Sequence, residues 1–256
     1  MIKAIFFDID GTLISSRYPR MKPSTVQVLK QLRQQGIYLF IASGRHVQEL
    51  EELHLDDDFH FDGYLLLNGG YCFNDDAVIY ENRIDVKDVV NICQVIEEHH
   101  FPALFIEKDR MYVNFIDERV VKAQQAINTS IPPVSNHVDV SKIIQIDPYV
   151  NASQLQLIMK VTTNCKSTKW HDEAYDIVAL SSGKKSGIEA FMKYYGLQKA
   201  ETVAFGDGEN DLEMFEAVGL SVAMGNSEKD IKDQADLICD DVDGLGICSV
   251  MEQLGL

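Results

Sequence analysis

Residues 3–14 read KAIFFDIDGTLI, and this stretch decides the expected fold class. Its apolar run from Ala4 to Phe7 is continuous, which is typical of a strand buried on both faces in a parallel sheet. Two acids, Asp8 and Asp10, and a glycine end the run. Open α/β sheets bind their ligands at the carboxyl ends of their strands. The stretch therefore predicts a parallel sheet with two carboxylates at its ligand-binding edge.

Alternating helices and strands continue on both sides of a segment with a different pattern. A helix over 23–36 and buried strands over 37–42 and 64–67 are expected after the first strand, which gives a βαβαβ order. The third strand is expected to lead into a turn at 68–70. Between 83 and 179 the pieces become shorter and amphipathic, with helices and hairpin strands mixed as in an α+β unit. Among them we expect a strand at 142–146 and a helix at 153–162. The first pattern returns with an apolar strand at 202–205. The sequence thus predicts a Rossmann-like α/β core interrupted by an inserted α+β unit.

The composition restricts the classes of partner. The chain has 256 residues, of which 46% are apolar, so it can bury a core. Its formal charge of −17, from 40 acidic and 23 basic residues, repels a phosphate backbone, so we expect neither a nucleic-acid partner nor an anionic membrane. Its five cysteines show no CxxC spacing, and no apolar run approaches the roughly 20 residues of a membrane span. We expect a cytoplasmic protein without signal peptide or membrane anchor, and the composition leaves small ligands open as partners.

Four acids are candidates for a metal site. Asp8 and Asp10 follow the first strand, and Asp207 and Asp211 lie in the loop GDGEND after the strand at 202–205. Carboxylates so close together would repel each other and partly protonate unless a cation compensated their charge. Mg²⁺ is the natural cation, since it takes few protein oxygens and keeps waters and substrate phosphate as its other ligands. Taken alone, however, the DIDGT segment is equally compatible with a simple Asp-Gly turn.

Two further segments are weaker candidates for phosphate binding. Ser43 and Gly44 follow a buried strand and precede a predicted helix, where hydroxyl and amide groups can hold an anion at a helix N-terminus. Lys184 stands at the start of another predicted helix, from which its ammonium could reach a phosphate. Each feature alone is more often structural, because strand-Ser-Gly-helix junctions are common and most lysines are solvated.

Together these segments closely resemble one family, the haloacid dehalogenase-like phosphatases, and specifically the Cof-type group with an inserted α/β cap (subclass IIB). IFFDIDGTL resembles the first motif of that family, IASGR the second, GKKSGI the third and GDGENDLEMF the fourth. The resemblance extends to LNGG after the third strand and covers nearly the whole chain. A lone DxD is weak evidence, whereas four motifs in this order at this spacing are strong evidence.

The resemblance implies a role for each matched residue. Asp8 would be the nucleophile, and Asp10 would be the general acid and base. Mg²⁺ would be bound by Asp8, Asp207 and the backbone carbonyl of Asp10, with Asp211 in support. The phosphoryl group and the substrate would be held by Ile9, Ser43, Gly44, Lys184 and Asn210.

The third motif contains two adjacent lysines and leaves one assignment open. We align Lys184 with the family lysine because two residues separate it from Gly187 and Ile188. Lys185 stays an alternative.

The resemblance also implies a domain organisation. Residues 1–82 and 184–256 would form the core, and residues 83–183 would form a cap that selects the substrate. Trp170 and His171 precede the last predicted cap strand and are candidates to face substrate, although a tryptophan in a strand more often packs in a core. The expected function is a Mg²⁺-dependent phosphatase of small phosphorylated metabolites, such as a sugar phosphate, pyridoxal phosphate or flavin mononucleotide.

Two other functions use similar chemistry. A phosphomutase would form the same aspartyl phosphate but return the phosphoryl group to a substrate, so free phosphate release without added bisphosphate distinguishes it from a phosphatase. A phosphoacceptor or sensor module would carry the phosphorylated aspartate as a signal, but this leaves Asp10 without a role. No feature of the sequence indicates an oligomeric state.

Overall fold

The chain crosses between two structural units near residues 80 and 182. A computed structural model describes residues 1–251 and 253–256 in full and residue 252 by its backbone alone. Residues 1–80 and 183–256 form one unit, which we call the core unit, and residues 81–182 form the inserted unit. The sequence analysis expected these boundaries after residues 82 and 183.

The first segment of the core unit alternates strands and helices. Its elements are β1 (Ala4–Phe7), α1 (Pro23–Gln34), β2 (Tyr38–Ala42), α2 (Val47–Glu52), α3 (Leu55–Asp58), β3 (Gly63–Leu66), β4 (Tyr71–Phe73) and β5 (Val78–Glu81). Helix α1 begins at Pro23, where the missing backbone N–H leaves no hydrogen bond unmade. Gly36 follows the helix with a φ of +79°, a left-handed conformation that suits glycine. Both ends of α1 thus follow from local sequence.

The inserted unit mixes helices with an antiparallel sheet. Its elements are α4 (Val86–His99), β6 (Ala103–Ile106), β7 (Met111–Val113), α5 (Glu118–Ala126), β8 (Gln145–Pro148), α6 (Ala152–Met159), β9 (Cys165–His171) and β10 (Ala174–Ala179). The strand order is β7-β6-β8-β10-β9. Phe105, Ile146 and Ile177 lie side by side across three of these strands and share an apolar cluster with residues of α4 and α6.

The second face of that sheet is more polar. Because side chains alternate along a strand, Gln145, Asp147 and Asp176 lie on the face opposite Ile146 and Ile177. All three are buried, and Gln145 Nε2 donates to Asp147 Oδ1 at 2.9 Å. The inserted unit therefore has one apolar sheet face and one that carries polar groups.

The last segment returns to the core unit. Its elements are α7 (Lys184–Tyr195), β11 (Thr202–Gly206), α8 (Leu212–Ala217), β12 (Leu220–Ala223), α9 (Lys229–Lys232), β13 (Leu237–Ile238) and α10 (Met251–Leu254). Among the described residues, every helix is too short or too polar to traverse a bilayer.

The core sheet places the ends of its central strands side by side. Its order is β13-β12-β11-β1-β2-β3-β4-β5. The pairs from β13 to β3 are parallel, and β3 pairs with β4 antiparallel. In the middle of the sheet, Phe7 of β1 lies opposite Phe205 of β11 and Ile41 of β2. The chain leaves β1 toward one side of the sheet and later returns on the other, and this arrangement opens a crevice at the carboxyl ends of the strands.

Aromatic packing fixes α7 on this sheet. Phe191 of α7 meets Phe6 edge-on, with 6.2 Å between ring centroids, and lies 4.7 Å from the ring of Phe40. All three side chains are fully buried, and each contributes about 2 kcal/mol through the area removed from water. This packing sets the position of the first residue of α7, Lys184.

The α/β fold class with an inserted α+β unit is confirmed, and three local expectations were wrong. The sequence analysis expected only a turn after β3, but β4 and β5 follow there. The Asn74 side chain accepts the N–H groups of Asp76 and Ala77 and so forms the turn between these strands. The strand expected at 142–146 begins only at Gln145, because Lys142 N–H bonds back to the Asp139 carbonyl in a turn. The helix expected to reach residue 162 ends at Met159.

Candidate active site

Asp8 lies directly after β1 and is buried. Its backbone N–H donates to the Phe205 carbonyl at 2.9 Å, which continues the hydrogen bonding between β1 and β11 past the last residue of the strand. Its carboxylate accepts a hydrogen bond from Lys184 Nζ at 2.7 Å. The residue is 6% exposed. The sheet thus holds a carboxylate and an ammonium group together with little contact to water.

Lys184 bridges two buried carboxylates. Its Nζ also donates to Asp211 Oδ1 at 2.6 Å, and the lysine is 1% exposed. Burial works to lower the pKa of Lys184, but Asp211 and Asp8 outweigh it and hold this pKa above its usual value. The neighbouring Lys185 instead pairs with Glu216 at 3.1 Å on an exposed surface. Of the two lysines that the sequence left open, the structure places Lys184 among the carboxylates.

Asp211 holds the loop after β11 in shape. Its Oδ2 accepts the backbone N–H groups of Asp207 and Gly208, at 2.8 and 2.9 Å. A Cβ on Gly206 would overlap this carboxylate, so only glycine fits at the end of the strand. With Oδ1 on Lys184 and Oδ2 on two backbone groups, Asp211 organises the loop that carries Asp207.

Three carboxylates form a group that can hold a cation. Within the described part of the chain, Asp8, Asp207 and Asp211 are the one set of three potential ligands whose oxygens all lie within 4.8 Å of one another. Burial raises the pKa of Asp8 to about 7, and repulsion from Asp211 and Asp10 adds to the rise. Burial likewise raises the pKa of Asp207 to about 8, together with repulsion from Asp8 and Asp211. A hard divalent cation fits this set of oxygen donors, because it would stabilise the ionised carboxylates that burial disfavours.

The turn after Asp10 brings the first loop against Asp207. Gly11 has a φ of +80°, and a Cβ at this position would overlap the Asp207 carboxylate. The carbonyl of Ile9 accepts the N–H groups of Thr12, Leu13 and Ile14, and its side chain is fully buried. Only the main chain of Ile9 could therefore take part in binding a ligand.

The Asp10 side chain is held by an arginine that the sequence analysis did not assign. Arg45 donates from Nε and Nη2 to the two Asp10 oxygens at 2.6 and 2.7 Å. The arginine is 6% exposed, whereas the Asp10 side chain is 49% exposed. Arg45 is the last residue of the IASGR motif, so the motif contained the signal, but its partner lies 35 residues away in sequence.

Ser43 and Gly44 do not lie at a helix N-terminus, contrary to the expectation from sequence. Helix α2 begins only at Val47, and His46 is its N-cap, because the His46 side chain accepts the N–H of Gln48. Ser43 is buried directly after β2, its N–H bonds the Leu65 carbonyl, and its Oγ accepts the N–H of Arg45. The N-terminus of α2 therefore lies beyond Ser43 and Gly44. The hydrogen bond to Leu65 holds Ser43 at the carboxyl end of β2.

Asn210 connects the fourth motif with the LNGG turn. Its Nδ2 lies 3.3 Å from Oδ1 of Asn68, a buried residue with a φ of +50°. Asn68 is therefore a second residue at this edge to which the sequence analysis gave no role.

Comparisons with known proteins indicate the family to which the chain belongs. A family model described as haloacid dehalogenase-like hydrolase matches residues 5–251. The chain is 28% identical over 256 residues to the putative phosphatase YkrA of Bacillus subtilis strain 168, with 99% of this chain and 98% of that protein covered. It is 27% identical over 263 residues to the pyridoxal phosphate phosphatase YbhA of Escherichia coli K12, with 93% of each covered. Among solved structures, the subclass IIB sugar phosphatase BT4131 is similar with a TM-score of 0.89 and 31% identity over 99% of both chains.

The family model spans nearly the whole chain, and phosphatases match it from end to end. The protein is therefore a phosphatase that belongs to the haloacid dehalogenase-like hydrolases, in their Cof-type group.

Proposed function

We propose that the enzyme hydrolyses small phosphorylated metabolites through a phosphorylated Asp8, with Mg²⁺ bound beside it. The observation that carries the proposal is the buried Asp8 carboxylate, which lies 2.7 Å from Lys184 Nζ within a group of three carboxylates. In water a carboxylate and a phosphoryl dianion repel each other. A lysine and a cation beside the carboxylate remove much of that repulsion and make it an adequate nucleophile.

Each side chain of the site then has a defined task in two steps. In the first step an Asp8 oxygen attacks phosphorus, the bond to the ester oxygen breaks, and the leaving oxygen takes a proton from Asp10. In the second step Asp10 takes a proton from water, and the water oxygen attacks phosphorus and releases phosphate and the free Asp8 carboxylate. One residue serves as acid and then as base because each step returns it to the form that the next step needs.

Positive and polar groups hold the phosphoryl oxygens during both steps. We assign this task to Lys184, Ser43 and Asn210, with main-chain groups of Ile9 and Gly44. Mg²⁺ would be held by Asp8, Asp207 and the Asp10 carbonyl, and when bound it supplies positive charge that neutralises the phosphoryl oxygens and the carboxylates. Asp211 supports this set because it orients Lys184 and the loop that carries Asp207.

The contact with Arg45 sets a condition on the proton donor. Both Asp10 oxygens accept hydrogen bonds from Arg45. When Asp10 acts as the acid, the oxygen that carries the proton must face the leaving oxygen of the substrate and not Arg45. Arg45 therefore positions the Asp10 carboxyl group, and this contact must rearrange for the first proton transfer.

The substrate class in this proposal is a small phosphate monoester, such as a sugar phosphate or pyridoxal phosphate. Two similar proteins bear the names sugar phosphatase and pyridoxal phosphate phosphatase. We assign substrate selection to the inserted unit, because the four motifs leave no core residue for the alcohol portion. The candidates are the polar residues Gln145, Asp147 and Asp176, together with Trp170 and His171, which are half-buried in β9.

Phosphate release from a panel of phosphate monoesters tests the proposal. With MgCl₂ and no added bisphosphate, the wild type should release free phosphate, and a chelator should abolish this activity. Asp8→Asn should lower kcat/KM at least about 100-fold, or about 2.7 kcal/mol in barrier, because an amide cannot form the acyl phosphate. Asp230→Asn, the same change at an exposed position of α9, is the matched control and should leave the rate unchanged.

Three outcomes would contradict the proposal. Full activity in the chelator would exclude the metal. An Asp8→Asn rate within about tenfold of the wild type would exclude Asp8 as nucleophile. Phosphate transfer that requires an added bisphosphate would indicate a phosphomutase.

A further inference from the structure

Asn226 joins three segments of the core unit at the edge that carries the carboxylates. It follows β12, which pairs with β11 in the sheet. Its Nδ2 lies 2.9 Å from the Gly11 carbonyl and 3.2 Å from Asp207 Oδ2. Its Oδ1 accepts the backbone N–H of Val242 at 3.0 Å. One side chain thus touches the turn after Asp10, the Asp207 carboxylate and the C-terminal segment.

The hydrogen-bond partners fix the orientation of this amide. Val242 offers an N–H, so the atom that faces it must be the amide oxygen. The Gly11 carbonyl can only accept, so the atom that faces it must be the NH₂ group, and the same group faces Asp207 Oδ2. The opposite orientation would place oxygen against oxygen on one side and N–H against N–H on the other. Asn226 is therefore a donor toward Asp207.

We propose that Asn226 is a positioning residue for the cation site: its NH₂ group holds Oδ2 of Asp207 and the Gly11 carbonyl, so that the other Asp207 oxygen stays available to Mg²⁺. The proposal rests on the proposed function, because it presumes that Asp207 binds the ion. A neutral donor suits this task, since it orients a carboxylate without the positive charge that would compete with the cation. Hydrogen bonds to ligand carboxylates typically change metal affinity by about 10- to 100-fold.

The same contact reaches the other metal-binding segment. Gly11 directly follows Asp10, whose backbone carbonyl we assign to the ion. A side chain that holds the Gly11 carbonyl and Asp207 together therefore fixes the distance between the turn after β1 and the loop after β11. Loss of the NH₂ group should loosen the Asp207 side chain and the Asp10 carbonyl together.

Titration with MgCl₂ in the absence of substrate tests this role. Calorimetry on Asn226→Ala should show the Kd for Mg²⁺ about tenfold above that of the wild type. The matched control is Ser249→Ala, because Ser249 Oγ accepts the N–H of Asp240 in the same C-terminal segment but does not touch Asp207. Its Kd should equal that of the wild type. If Asn226→Ala does not fold, Asn226→Ser replaces it with the same expected weakening.

Activity provides the second readout. The Mg²⁺ concentration for half-maximal rate should rise about tenfold in Asn226→Ala, while kcat at saturating Mg²⁺ returns to near the wild-type value. If Asn226 served only to tether the C-terminal segment, Asn226→Ala would lower the metal-free Tm, as Ser249→Ala would. The Kd for Mg²⁺ and the Mg²⁺ concentration for half-maximal rate would then stay unchanged.

The outcomes separate this inference from the proposed function. If the wild type binds Mg²⁺ and Asn226→Ala binds it equally well, the positioning role is wrong and the metal site stands. If the wild type does not bind Mg²⁺, the metal assignment itself fails, and the positioning role fails with it.

Discussion

Lys184 allows a sharp test of the site because its neighbour in sequence is a natural control. Lys184→Met keeps most of the side-chain volume and removes the charge that lies 2.7 Å from Asp8 and 2.6 Å from Asp211. Two buried carboxylates then face each other without a cation. Breaking a buried ion pair by removing one partner costs about 3–5 kcal/mol, so the metal-free variant should lose this much free energy of unfolding. Lys185→Met breaks only an exposed pair and should lose about 0–1 kcal/mol.

Urea unfolding of the two variants in a chelator measures this difference, and phosphate release with saturating Mg²⁺ measures the second effect. Lys184→Met should lower kcat by about 100- to 1,000-fold, the usual cost of removing one group that stabilises developing charge. Lys185→Met should keep the wild-type rate. In the Lys184→Met background, Asp211→Asn should recover stability, since it removes one of the two repelling charges.

Two results would refute the reasoning. If the free energy of unfolding of metal-free Lys184→Met were within about 1 kcal/mol of the wild-type value, the two ion pairs would behave as exposed pairs and not as buried ones. A larger loss of activity in Lys185→Met than in Lys184→Met would assign the phosphate-binding role to Lys185.

Three other predictions follow from the same contacts. The folded-state pKa values of Asp8 and Asp207, about 7 and 8, lie above their ordinary value of 3.8, so the unfolded chain releases these protons at lower pH than the folded chain does. The metal-free free energy of unfolding should therefore fall as the pH rises from about 4 to about 8. In melts followed by circular dichroism, MgCl₂ should restore the lost stability at pH 8 and have no such effect at pH 4. Gly11→Ala should weaken Mg²⁺ binding in calorimetry because a Cβ would displace Asp207, whereas Gly36→Ala, at a similar φ of +79° with open space around it, should cost only about 1 kcal/mol of backbone strain and leave Mg²⁺ binding unchanged. Asp10→Asn should lower kcat/KM far more for alkyl phosphates than for p-nitrophenyl phosphate, whose leaving group needs little protonation, and an equal loss for both would remove Asp10 from the first proton transfer.

Short stretches of sequence determined much of the fold. The apolar run of β1, the proline that begins α1 and the glycine that follows it act through neighbouring residues, so they can be interpreted without knowing the rest of the chain. Burial in a parallel sheet also explains why Asp8 had to lie at a strand end. The α/β class and the interruption by a second unit followed from such patterns.

Only the tertiary structure decided which neighbours meet at the site. Adjacent residues on a helix point about 100° apart, so one of Lys184 and Lys185 had to face away from the carboxylates, and the packing of α7 on the sheet through Phe191 decided which. His46 became the cap of α2 and moved the helix start beyond Gly44, a detail that depends on one side-chain hydrogen bond.

Two of the contacts that the sequence analysis did not predict have the same origin. Arg45 meets Asp10 across 35 residues, and Asn226 meets Gly11 across 215. Neither pair shows a spacing or a local pattern, because the order of strands in the sheet, and not the order of residues in the chain, brings their segments together. The sequence by itself determined which residue types follow each strand, and the sheet order determined which of them touch.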